Sequence, residues 1–130
     1  MTKEWYKAHG YHVGIEGTQE IVDRAEREVK AAYVLPILPD ADFENEDVMQ
    51  CLADLAYMRM LSLTTFVTRS GAKEKYGTNS ASASNEAKYN EQCIVAAAAV
   101  DRLRQMEGAN ATARVDDICR IFFVNNFFHN

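Results

Sequence analysis

Apolar positions recur at three- and four-residue steps along most of this chain, the rhythm of one-sided helices. From Thr18, residues Ile21, Val22, Ala25, Val29, Ala32 and Tyr33 keep one stripe. Thr18 is a good N-cap, and Glu20 sits in the first turn, where the helix dipole favours an anion. The opposite face pairs Glu20 with Arg24, Asp23 with Arg27 and Glu26 with Lys30, acid before base at i, i+4. Pro36 and Pro39 are expected to stop this helix, leaving 34–38 as a rigid apolar turn under the bundle.

The pattern predicts a second helix from Asn45, with Glu46 and Asp47 in its first turn, ending near Ser70 and Gly71. Its stripe is Val48, Leu52, Leu55, Ala56, Leu63 and Phe66 or Val67. Met49, Tyr57, Met58 and Met60 widen the apolar surface beyond one stripe. A helix apolar over most of its girth is central in its bundle or shared with a partner. Residues 70–85, SGAKEKYGTNSASASN, are small and polar without a period, and read as a long mobile loop. A third helix is expected from about Asn85 to Glu107, with Gly108 as its C′ residue. Tyr89, Cys93, Ala96, Ala97, Val100 and Leu103, with Met106 or Arg104, define its faces. Its tract 96–99 is alanine throughout and lets a neighbouring helix come close.

Both ends are less regular. Residues 1–17 read as an extended N-terminal arm, because Gly10, Gly14 and Gly17 disfavour regular helix while Trp5, Tyr6 and Tyr11 need covering. At the other end, Val115, Ile118, Cys119 and Phe122 fit a fourth helix capped at Thr112, although 121–124 alone suits a strand. Length and the Asp116/Arg120 pair favour the helix. Four of the six Phe follow at Phe122, Phe123, Phe127 and Phe128. One stripe cannot bury all four, because adjacent residues stand about 100° apart on a helix. Either a short terminal helix is sandwiched on two sides, or Phe127 and Phe128 dock on a neighbouring subunit.

Composition agrees with the pattern. The 130 residues fit one all-α domain, 1–130, a small bundle of about four helices. They include 18 Ala but only six Gly and two Pro, so helix breakers are scarce. The net charge of −5 argues against a protein that coats nucleic acid by bulk charge. No stretch approaches the run of about 18 apolar residues that spans a membrane, and residues 1–14 lack the apolar core of a secretory signal. Cys51, Cys93 and Cys119 are widely spaced in apolar stretches and read as buried thiols in a reducing compartment.

Candidate chemistry is sparse. The acidic run Asp40, Asp42, Glu44, Glu46, Asp47 resembles a calcium loop only briefly. An EF-hand loop starting at Asp40 needs Gly at its sixth position and Glu at its twelfth, where Asn45 and Cys51 stand. It reads as a lead-in to a helix. His9 and His12 with Glu16 would suit a metal on a rigid helix, which the glycines argue against. The 68–78 segment places Arg69, Lys73 and Lys75 against Glu74, a local +2 able to meet an acidic surface. No phosphate loop, nucleophile elbow or zinc-protease signature is present. No catalytic residue, cofactor or metal is expected, and the chain does not read as an enzyme.

One resemblance adds to this. The helix EIVDRAEREVKAAYVLPILP, an acidic loop, the helix LADLAYMRMLSL, the loop RSGAKEKYG and a third helix are similar in order and spacing to the small α-helical head–tail connector proteins of tailed phages and prophages, also called head-completion or adaptor proteins. The likeness covers about 18–107 and contains no diagnostic motif. It implies a structural virion protein, assembled in the host cytoplasm, whose copies form a ring between portal and tail proteins around the passing DNA. Trp5, Tyr6, Arg69, Lys73, Lys75, Phe127 and Phe128 are then the expected partner contacts, with 124–130 as a tail. The alternative is a small cytoplasmic adaptor or regulator that uses its Met-rich second helix as a peptide groove.

Overall fold

The computed structural model describes residues 1–11, 18–75 and 79–118, with side chains described except at 64–75, 79–87 and 89. Every regular element among them is helical: α1 (Lys3–Ala8), α2 (Gln19–Val29), a π turn (Lys30–Val34), α3 (Leu35–Ile37), α4 (Glu46–Lys75) and α5 (Asn79–Arg104). The all-α bundle expected from the pattern is the fold, with α4 packed between α2 and α5.

The central position of α4 follows from its girth. Residues 51 to 56 are all buried, polar Asp54 included, which a helix with one exposed face cannot show. Asn45 starts it as expected, its side-chain oxygen accepting the backbone N–H of Asp47 (2.9 Å) and Val48 (3.3 Å). The helix continues past Ser70 to Lys75. The loop read over 70–85 straddles its junction with α5, and 76–78 lie outside the described residues.

Thr18 caps α2 by accepting the Ile21 N–H at 3.2 Å, and Val22, Ala25, Val29 and Tyr33 form the buried stripe. The expected ion-pair ladder is rerouted. Arg24 binds Glu28 (3.1 Å), Asp23 accepts from Gln19 (2.9 Å), and Lys30 sits 4.6 Å over the Phe43 ring. Glu26 turns inward. Pro36 does not end the helix. It lacks an N–H and its ring would crowd the carbonyl four residues back, and the backbone widens to a π turn just before it. The Leu35 N–H reaches the Lys30 carbonyl there, and the chain stops only at Leu38, before Pro39.

Two further expectations are corrected at the ends. The arm contains a helix: Thr2 accepts the Trp5 N–H at 3.0 Å and begins α1. Gly10 (φ 89°) terminates it, with Tyr11 N–H bonded to the Tyr6 carbonyl (2.9 Å) and Gly10 N–H to that of Lys7 (3.2 Å). That is a Schellman cap, and the Tyr6–Tyr11 ring contact supplies its hydrophobic clasp. The glycines therefore sit at and beyond the helix end. No helix starts at Thr112, since 113–117 is irregular. Backbone groups of 110, 111 and 113 find partners outside any helix. Asn110 N–H donates to the Ile37 carbonyl (2.7 Å), and Arg104 donates to the carbonyls of Ala111 (2.9 Å) and Ala113 (2.7 Å). The helix α5 also ends earlier than expected, at Arg104, and Gly108 (φ 82°) serves the turn after it. Residues 119–130, with all four clustered Phe, lie outside the described residues.

Candidate functional site

Asp54, Gln50 and Gln92 were not singled out in the sequence, and with Tyr11 and Arg102 they form the most connected polar cluster among the described residues. Asp54 sits in the first third of α4, 6% exposed. One carboxylate oxygen accepts the Tyr11 hydroxyl at 2.7 Å and the other accepts Arg102 at 2.7 Å. Gln50 donates to the Tyr11 hydroxyl, and Gln92 donates to the Asp54 backbone carbonyl at 2.7 Å. The cluster thus joins the segment after α1 to α4 and α5. Burial pushes the Asp54 carboxyl above its ordinary range, and the hydrogen bonds and the Arg102 charge offset part of that. Burial and the carboxylate also push the Tyr11 hydroxyl far up, so it stays a donor.

A second cluster fastens α1 to α2. Tyr6, fully buried, donates to Glu26 at 2.7 Å, and the Met1 amino group reaches the same carboxylate at 2.7 Å. Burial, then the neighbouring Glu26 charge, pushes the Tyr6 hydroxyl far up. A third links α2 to α4: Arg59 binds Glu28, which also receives Arg24. In all three, acceptors face donors within the chain, so the arrangement binds helix to helix. A phenol held this strongly protonated and spent on a carboxylate is a clasp, not a proton-transfer group.

Of the expected partner contacts, Tyr6 is covered by the chain's own core and has no surface to present. Trp5 is half-buried, stacked on His9 (3.9 Å) and edge-on to Tyr6 (5.3 Å). Arg69, Lys73 and Lys75 lie on the α4 backbone, but their side chains are outside the described residues, as are Phe127 and Phe128 entirely. Of the His pair, His9 has its Nδ1 2.8 Å from the Trp5 carbonyl and His12 is outside the described residues. Among the described residues no group of three or more His, Cys, Asp or Glu is placed to hold a metal. The acidic run is a loop leading into α4, with Asp42 accepting the Glu44 N–H at 3.0 Å. Beside it lies a shallow depression of about 270 Å³ between Asp40, Asp42, Asp47 and Glu107.

The outer face of α5 is the surface feature that sequence reading missed. Ile94 is 74% exposed and Val95 36%, with Ala97 and Ala98 exposed beside them. The alanine tract is two-sided: Ala96 and Ala99 are buried in the core while Ala97 and Ala98 face out. A helical-wheel count of 91–102 shows this second apolar strip, but it is hidden in a sequence read only for its core-facing stripe. Among the described residues no helix is long and apolar enough to cross a membrane. Comparison with known proteins finds no family model, no curated protein and no solved structure that matches this chain.

Proposed function

We propose that this chain is a structural assembly protein, a subunit of the head–tail connector kind that works by being covered by other proteins. The observation that carries the reading is the exposed apolar strip of α5, centred on Ile94 in the middle of a well-packed helix. Ile94, 74% exposed, is the most exposed large apolar side chain among the described residues, with Val95, Ala97 and Ala98 continuing its surface, and contiguous apolar surface of this kind is where partners dock. The carboxylates support the same reading, because buried Asp54 and Glu26 and half-buried Glu28 are spent on internal hydrogen bonds. The connector assignment itself draws on the helix order and spacing of 18–107. In it, copies make a ring in the assembled particle between portal and tail proteins, with the net charge of −5 keeping the DNA path non-adhesive.

The test is assembly with a portal protein encoded by the same phage or prophage. Mixed with portal rings, the full chain is expected to co-sediment with them, and removal of 124–130 is expected to reduce that binding. Full-length protein that stays at the top of the gradient defeats the connector assignment. Full-length protein that binds short amphipathic helices, with no affinity for portal, would favour the adaptor alternative, although Met58 and Met60 of its proposed groove on α4 are buried in the core.

A further inference from the structure

The outer strip of α5 is self-complementary in shape and in charge. Glu91, Val95, Ala98 and Arg102 fall at steps of four, three and four, one seam along a helix, and all four are exposed. That spacing reads the same in both directions. A two-fold axis passing between positions 96 and 97 sets Val95 of one copy beside Ala98 of the other, and Glu91 beside Arg102. Large meets small twice, and acid meets base twice. Ile94, 74% exposed, flanks the seam on its own helix, beside exposed Ala97 and Ala98. A parallel pairing would instead stack Glu91 on Glu91 and Arg102 on Arg102. Arg102 already gives Nη2 to Asp54 but remains 49% exposed, and a guanidinium has donors left for a second carboxylate.

We infer that α5 pairs antiparallel with α5 of a second copy, through Val95, Ala98 and Ile94, with Glu91–Arg102 contacts closing each end. A two-fold pair uses one patch on both subunits and closes on itself. It is therefore a state of the free subunit, separate from any ring, and it stands whether or not the chain joins a portal. One helix face is a small interface, so the pair is weak and concentration-dependent.

Sedimentation of the full chain up to about 1 mM, the weak end of specific association, is the test. The wild type is expected to move from monomer to dimer with rising concentration. Ile94→Glu is expected to weaken association at least about tenfold, because it sets a charge in the apolar flank of the seam. Since Ile94 is 74% exposed, its thermal melt should match the wild type, which separates lost pairing from lost folding. Glu91→Lys is expected to weaken pairing by setting like charge against Arg102, and added salt should return part of it. A wild type that stays monomeric throughout overturns the inference. So does association that survives Ile94→Glu but disappears when 119–130 are removed, which would assign it to the phenylalanine-rich tail.

Discussion

Asp54 shows how one polar residue can organise three segments. It lies in the most buried run of α4, where an unpaired carboxylate would be costly, and it is tolerated because Tyr11 and Arg102 meet its two oxygens. Asp54→Ala is expected to lower the unfolding free energy by about 3 kcal/mol, the low end for breaking a buried pair, because half-exposed Arg102 can rehydrate. Asp54→Asn keeps an acceptor for Tyr11 and should cost less, about 1–2 kcal/mol. Urea unfolding of the two variants checks the order. Glu28 provides a contrast in pH dependence. Burial pushes its carboxyl up, but the hydrogen bonds and charges of Arg59 and Arg24 win and hold it below its ordinary 4.5. Its contribution is therefore present above that value and is lost as pH falls through the folded value. For Asp54, raised in the fold, protonation favours the native state, and its contribution declines as pH rises. Glu28→Gln is expected to flatten the acid side of a stability-against-pH profile, read by thermal melts between pH 6 and pH 3.

At the scale of elements, ends decide more than middles. The left-handed Gly10 closes α1 and aims Tyr11 at Asp54, and a Cβ there would meet no atom within 4 Å. Gly10→Ala therefore tests backbone strain alone. It is expected to destabilise by about 1–2 kcal/mol, measured by chemical denaturation, and to loosen the 1–11 segment in amide exchange. The middles of α2, α4 and α5 were legible from periodicity, and Thr18 and Asn45 were legible as caps. What periodicity could not supply was tertiary choice. Glu26 left its i, i+4 partner Lys30 because the Tyr6 hydroxyl needed an acceptor in the core. Pro36 was absorbed by a π turn, an option that a rule about proline stops does not contain. After Asn110 the carbonyls of Ala111 and Ala113 accept from Arg104, a tertiary pairing that the local pattern does not carry. The Asp54 cluster was invisible for the same reason: Asp54 lies 43 residues from Tyr11 and 48 from Arg102, and nothing local marks them.

At the scale of the molecule, polar groups and apolar surface are used differently. Among the described residues Asp54 and Glu26 are engaged with Tyr11, Arg102, Tyr6 and the Met1 amino group, while an apolar strip on α5 is left facing water. The most direct check is NMR of the isoleucine methyl groups with a soluble paramagnetic agent, using fully buried Ile37 as the internal reference. In dilute solution the Ile94 methyl signal should be quenched strongly and that of Ile37 spared. As the protein is concentrated, or portal protein is added, Ile94 is expected to become protected towards the Ile37 level. An Ile94 methyl that is spared in dilute solution, or quenched equally under every condition, would contradict the claim that this strip exists to be covered.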